Sequence, residues 1–325
     1  MYKTGENKSI VSLAGGIVLT LLIGTTVWVP AFITSPTILA TQGSGILYKA
    51  IEPLFTPFTS SLLTLIFLIC LGCWGCWQVE HHRLVKTASI LPAFFMLFLP
   101  GLFLSEHGFS PGLPACICLY TAFSRIIVLC PQEDVQWRSL EMGFFVALAT
   151  LFAPTFVFYI PLCLIGIHLL NRLTFQNLIA SIIGIITPYI LLVGFLFLTN
   201  QSDELVQLWQ MANKQFCISW QWGLHEGILL GLIGISLLVA LMGFLHQHTD
   251  RIHPRAITSF AFVLAFGALI LSLLYHNAHH TISLCMFASL LLTQYFNYRS
   301  QKLTRVFFYT FISSCLFVYG TLFIA

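Results

Sequence analysis

Short polar connectors cut the chain into eleven apolar segments, at 10–31, 58–78, 87–104, 113–130, 139–152, 155–170, 177–199, 223–245, 256–275, 281–297 and 305–325. A helix rises about 1.5 Å per residue and the hydrocarbon core of a bilayer is about 30 Å thick, so roughly 20 apolar residues make one crossing. Runs such as Leu62-Leu63-Thr64-Leu65-Ile66-Phe67-Leu68-Ile69 do not alternate apolar with polar residues, as a transmembrane β-strand would. They are apolar nearly all round, the pattern of a lipid-embedded helix. Only 8% of the 325 residues are charged, against roughly 25% in soluble proteins, so a water-facing surface cannot be built. The mean hydropathy of +0.91 agrees. This balance excludes a cytosolic enzyme, a secreted disulfide scaffold, a coiled coil and a disordered chain; a net charge of +3 excludes a nucleic-acid binder. The expected fold is an all-α polytopic transmembrane bundle of about eleven spans, one integral membrane domain over residues 1–325 with the lipid bilayer as its partner.

The basic residues set the expected orientation. With the amino terminus in the cytoplasm, Lys3, Lys8, Arg83, Lys86, Arg125, Arg138, Arg172, Arg251, Arg255, Arg299, Lys302 and Arg305 all fall on the inner side, and only Lys49 and Lys214 fall outside. Reading 139–152 and 155–170 as a single span inverts every later loop and evens the two sides. The two-segment reading is therefore expected, as short helices meeting at an outer turn at Ala153-Pro154, with the carboxyl terminus in the periplasm. The first segment follows Lys3 and Lys8, is long, and lacks a small-x-small cleavage pattern, so it is expected to stay as an anchor.

Two outer loops have substance. In 32–57, Ser44 is placed to cap a short helix whose Ile46, Leu47, Ile51, Leu54 and Phe55 share a face opposite Lys49 and Glu52, the pattern of a helix lying in the interface. In 200–222, Ser202-Asp203-Glu204 opens a second such helix, with Trp209, Trp220 and Trp222 at belt depth. Of ten cysteines, only Cys217 lies in an outer loop, so no outer pair is available for a disulfide. Cys70, Cys73 and Cys76 lack a fourth thiolate and interleave with Gly72 and Gly75. Small residues so spaced let helices approach closely, and packing is expected rather than a cluster site. No metal or cofactor is expected.

No ionisable residue falls at the centre of a span, which argues against proton- or ion-coupled transport. Arg125 and Glu141, near the inner ends of their segments, could pair across a hairpin; Arg125 could equally snorkel to the inner headgroups. Catalytic candidates are Glu52, Glu106 and His107, outer groups able to act as acid or base on a sugar or lipid hydroxyl, beside Asp203 and Glu204. Substrate-binding candidates are Lys49, His225, Glu226, His276, His279 and His280. Imidazoles at that surface can bind an anion or sense pH; the plainer reading is a polar turn that stays in water. The inner His246, His248 and His253 sit among arginines and read as a solvated loop.

Between residues 80 and 200, the run Leu91-Pro92-Ala93-Phe94-Phe95, the turn Phe109-Ser110-Pro111, the segment Gly143–Pro154 and Gly184-Ile185-Ile186-Thr187-Pro188-Tyr189 together resemble an uncharacterised family of multi-pass inner-membrane proteins of Bacteroidota. The resemblance implies the envelope of a diderm bacterium and carries no catalytic residue. More loosely, the architecture resembles membrane glycosyltransferases that use polyprenyl-phosphate sugars, with a flat helix and an acid in the first outer loop. That likeness implies Glu52 as base and Lys49 as phosphate partner, although this loop has no aspartate and no paired acids. Three functions stand at this point: an accessory or scaffold component of an envelope assembly or export system, with other envelope proteins as partners; a lipid-linked sugar transferase; and a conduit or flippase for a lipidic or uncharged substrate, built on the short pair around Pro154.

Overall fold

The computed structural model describes residues 17–18, 20–24, 26–29, 44–85, 89–103, 108–128, 135–199, 223–245, 252–275, 278–298 and 302–321. Among these there is no strand. A π-helical turn at Thr20–Gly24 precedes α1 (Ile46–Ile51), α2 (Pro57–His81), α3 (Leu91–Gly101), α4 (Gly112–Val128), α5 (Val135–Phe152), α6 (Tyr159–Leu169), α7 (Phe175–Leu198), α8 (Leu224–Leu245), α9 (Ile252–Leu274), α10 (Ala278–Tyr298) and α11 (Lys302–Thr321). Short 3₁₀ turns at Glu52–Leu54 and Pro154–Phe158 lead on from α1 and into α6. Each apolar segment from residue 58 onward coincides with one helix. Among the described residues four stretches are long and apolar enough to cross a membrane: Phe58–His81, Phe175–Leu198, Leu224–Leu245 and Pro254–Leu274. Of the expected anchor at 10–31 only part is described, and the 200–222 loop lies outside the described residues, as do His246 and His248.

The helix ends follow local chemistry. At the start of α2, Thr56 and Thr59 form a reciprocal capping box ahead of Pro57, with the Thr59 backbone N–H donating to Thr56 Oγ1 at 3.3 Å and the Thr56 N–H to Thr59 Oγ1 at 2.8 Å. Thr174 caps α7 without such reciprocity, its Oγ1 accepting from the Asn177 N–H at 3.3 Å. Arg83 and Asn171 take positive φ just past the ends of α2 and α6, and the residue after each turns its N–H back to a carbonyl of the helix it leaves.

Two expectations change. The segment 87–104 holds a helix of only 11 residues, about 16 Å long, or roughly half the hydrocarbon thickness. Pro92 sets its first turn and Pro100-Gly101 its last, and every residue from Leu91 to Gly101 is buried. Ser44 does not cap α1: Gly45 holds the cap position, its N–H donating to the Phe152 carbonyl at 2.7 Å.

α10 occupies the centre, packed by α3, α4, α8, α9 and α11. Every residue from His279 to Thr293 is buried. Phe95 and Phe308 ring Phe296, while Phe123 packs on both Phe260 and Phe287, so aromatic side chains fill the middle of the bundle. α7 is peripheral and packs mainly on α5. There Gly143 faces the Ser181 carbonyl and Gly184 the Leu140 carbonyl, a backbone-to-backbone crossing that only small residues allow. Gly72 and Gly75 put α2 against Ala93 and Pro92 of α3 in the expected way, while Cys70 and Cys73 stand exposed on the other face.

The connectors sort into two ends. At one, Gly45 meets Phe152, Tyr48 donates to the Phe109 carbonyl, the Phe109 N–H donates to Ser60 Oγ at 2.6 Å, and Gly112 touches His279. At the other, Gln136 meets Gln176, Arg125 meets Glu141, and Thr258 meets Gln294. The first set holds the turns expected outside and the second those expected inside.

Candidate functional site

Five residues, His276-Asn277-Ala278-His279-His280, look in sequence like a turn that needs water. α10 instead begins at Ala278 and carries His279 and His280 into the protein, 6% and 0% exposed. Two approaches cause this. Gly112, in the first turn of α4, has no side chain, and a Cβ there would lie 2.5 Å from His279 Cα, so α4 closes directly on the backbone of α10. From the other side the 3₁₀ turn begun by Pro154 brings Phe156 flat against the His280 ring, centroids 5.3 Å apart, with Tyr159 and Tyr275 completing an aromatic cage at 5.8 and 6.2 Å.

Inside the cage, the Tyr159 hydroxyl is hydrogen-bonded to Ser283 Oγ and stands 3.5 Å from His280 Nδ1; Ser283 Oγ also bonds the His280 carbonyl at 2.8 Å. Tyr159 and Ser283 are both fully buried. Both nitrogens of His279, Nε2 of His280 and Oγ1 of Thr155 are buried without a hydrogen-bond partner among the described residues. The two histidines precede the expected span at 281–297. Burial pushes the His279 imidazole down to about 4; burial, with the neighbouring His279 adding to it, pushes His280 down to about 3. The shifts owe nothing to a carboxylate. The cluster is thus a neutral polar clamp tying α6 to α10, able to exchange hydrogen bonds with a small polar guest. Among the described residues no three His, Cys, Asp or Glu side chains converge to hold a metal.

The other sequence candidates are scattered. Glu52 is half-buried in the 3₁₀ turn after α1, and Lys49 is exposed on α1. Burial and then the Glu52 charge push the Tyr48 phenol up to about 12. His225 and Glu226 are half-buried in the first turn of α8, where an acid suits the positive helix end. Glu106, His107 and His276 lie outside the described residues, as do Asp203 and Glu204. Sequence reasoning missed Tyr48, Thr155, Tyr159 and Ser283; a lone tyrosine opening an aliphatic segment, as Tyr159 does, was the available signal.

At the opposite end Arg125 pairs with Glu141. Glu141 Oε2 lies 3.4 Å from Arg125 Nε and 3.1 Å from an Arg138 terminal nitrogen, and Glu141 Oε1 accepts from the Trp137 indole at 2.9 Å. The carboxylate thus holds α4 and the start of α5 together. Beside it an open groove of about 970 Å³ runs between α5 and α7, lined at one end by Gln136, Trp137, Arg172 and Gln176 and at the other by Leu140, Ile179 and Ile183.

No curated protein and no solved structure matches the chain. Residues 46–324, which take in both ends of the bundle and its central helix, match a family described as "Family of unknown function (DUF6427)", and the chain belongs to that family.

Proposed function

We propose that the chain is a non-catalytic, multi-pass component of a bacterial inner membrane, threading the bilayer about eleven times with its amino terminus in the cytoplasm, and that it serves as a scaffold or accessory subunit of an envelope assembly or export system. The filled centre carries this reading. α10 is walled in by phenylalanines where a conduit would need a lumen and a transferase a substrate chamber. The long apolar face of α7, from Ile179 to Leu198, is left to lipid or to a neighbouring subunit. The resemblance to Bacteroidota proteins and the bias of arginine and lysine toward one end favour the inner membrane of a diderm cell. The separation of connectors into two ends agrees with that threading.

Glu52 is where this reading parts from a lipid-linked sugar transferase. In a strain whose own copy is deleted, Glu52→Gln at normal protein level restores envelope integrity under detergent stress if the chain is a scaffold. Loss of rescue by that isosteric variant, with the protein still present, overturns the proposal in favour of an enzyme. A reporter fused after Ala325 tests the threading separately, with periplasmic activity expected.

A further inference from the structure

The α5–α7 groove is divided by chemistry along its length. Its mouth offers uncharged hydrogen-bonding groups, the carboxamides of Gln136, Asn171 and Gln176, beside the ring of Trp137; farther along α7, Ile179 and Ile183 line it, 40% and 52% exposed. Gln176, Ile179 and Ile183 are spaced three and four residues apart and so share one face of α7. From the first to the last the helix rises about 10 Å, the reach from a headgroup to the first acyl carbons. Arg172 lines the same end but is already engaged, so recognition falls to the neutral groups.

Those groups suit a diol. Gln136 Nε2 donates to Gln176 Oε1 at 2.9 Å and bridges α5 to α7. The bond leaves Gln136 Oε1 as an acceptor and the Gln176 amide nitrogen as a donor, one at each end of the bridge. Two adjacent hydroxyls satisfy both ends because each can donate and accept, whereas an ionised phosphate only accepts. Asn171 is held at φ 55°, its N–H donating to the His168 carbonyl at 2.8 Å, and brings a third carboxamide to the same mouth. Trp137 is 61% exposed and its N–H is committed to Glu141, so it offers the groove its flat ring, a surface for the C–H face of a pyranose.

We infer that this groove binds one neutral glycolipid, its sugar hydroxyls held by the Gln136–Gln176 bridge, its pyranose ring stacked on Trp137 and its acyl chain laid over Ile179 and Ile183. The carboxamides and the indole select a sugar over a phosphate headgroup, and a neutral headgroup does not depend on the net charge around the mouth. The apolar half selects a lipid-borne sugar over a free one, which would leave the isoleucines bare. Gln136 lies about 24 Å along α5 from Phe152, whose carbonyl anchors Gly45 ahead of α1, so a headgroup bound here is remote from Glu52. The side of the bilayer from which the lipid comes rests on the threading proposed above; the binding itself does not.

The test uses the full chain in a polyethylene glycol ether detergent, which carries no sugar, and native mass spectrometry with monoglucosyl-diacylglycerol, phosphatidylcholine of the same acyl chains and methyl glucoside as probes. The expected result is at least fivefold greater retention of the glucolipid than of phosphatidylcholine. Gln136→Ala combined with Gln176→Ala, both at exposed positions, should bring that preference close to one. Trp137→Leu should lower it at least threefold, while Trp77→Leu, at an exposed tryptophan on α2 outside the groove, should leave it intact. Because Trp137 also holds Glu141, the glutamine variant decides should Trp137→Leu fail to fold. No preference in the wild type, a preference that survives the glutamine variant, or an equal loss in Trp77→Leu overturns the site. Displacement of the glucolipid by millimolar methyl glucoside overturns the lipid assignment in favour of a soluble sugar. None of these outcomes depends on whether Glu52→Gln rescues the deletion strain.

Discussion

Replacing Gly184 by alanine places a methyl carbon 2.9 Å from the Leu140 carbonyl carbon and 3.0 Å from the Phe144 nitrogen, with the Leu140 oxygen nearer still. Ordinary contact needs 3.4–4 Å, and the obstacle is backbone, which cannot swing aside as a side chain can. α5 and α7 must part by about 1 Å. A gap of that size forfeits a quarter to a half of each contact worth about 0.1–0.2 kcal/mol, so over roughly twenty atom pairs the loss comes to about 0.5–2 kcal/mol, reaching into the range seen for overpacked cores. Gly143→Ala makes the same demand from the other helix, against Ser181 and Ile185. Because one movement relieves both clashes, the double variant should cost clearly less than the two single losses added. Gly231 on α8 has nothing within 4 Å, so Gly231→Ala should be neutral or slightly stabilising. Reversible unfolding in mixed detergent–SDS micelles reads all four variants. A neutral Gly184→Ala, or strict additivity with Gly143→Ala, would show that the two glycines do not share one crossing.

The same assay checks the buried histidines. His279 titrates near 6.5 when unfolded and about 4 when folded, so below pH 6.5 the unfolded chain binds more protons and stability falls as pH falls. At pH 5 His279 alone accounts for about 2 kcal/mol of that loss, and His279→Gln should flatten the profile between pH 6.5 and 4; an unchanged slope refutes the burial. Glu141→Gln removes the shared anion of Arg125 and Arg138, and since the two arginine side chains are 37% and 24% exposed the cost should stay near 1 kcal/mol; a loss of several kcal/mol would mean the cluster is far drier than its exposure indicates. Tyr48→Phe deletes the hydrogen bond to the Phe109 carbonyl, and amide exchange over residues 46–55 should quicken while α5 stays protected. Equal exchange in wild type and variant would show that ring packing alone holds α1.

What was legible in the sequence was whatever depends on local composition. Apolar runs, set off by Thr56-Pro57, Pro154 and Thr174, marked the helices from residue 58 onward to within a few residues, because in lipid each such run must satisfy its own backbone. Arg125 and Glu141 were legible as a pair because each stands a fixed distance from the end of its own helix, and the hairpin brings those ends together. The length of α3 was not, since 87–104 is apolar throughout and only Pro100-Gly101 marks where the helix stops.

The histidines show why the site was harder to read. Asn277, His279 and His280 carry every local mark of a wet turn, and the structure buries the two histidines through partners far away in sequence: Gly112 lets a backbone in, and Pro154 aims Phe156. Neither glycine nor proline announces its target. α10 makes the same point at the scale of a helix. It holds Thr281, Ser283, Ser289, Thr293 and Gln294 and is less apolar than the four long stretches able to cross a membrane, yet it lies at the centre, while the far more apolar α7 stands at the rim. In a bilayer this order is physical: lipid accepts isoleucine and leucine but no unpaired hydroxyl, so polar groups that bond across helices are drawn inward and the most apolar helix is the one displaced outward. The α5–α7 groove follows from that displacement, because a peripheral helix held by one glycine crossing leaves a cleft wherever the crossing diverges, and at its charged end that cleft holds Arg172.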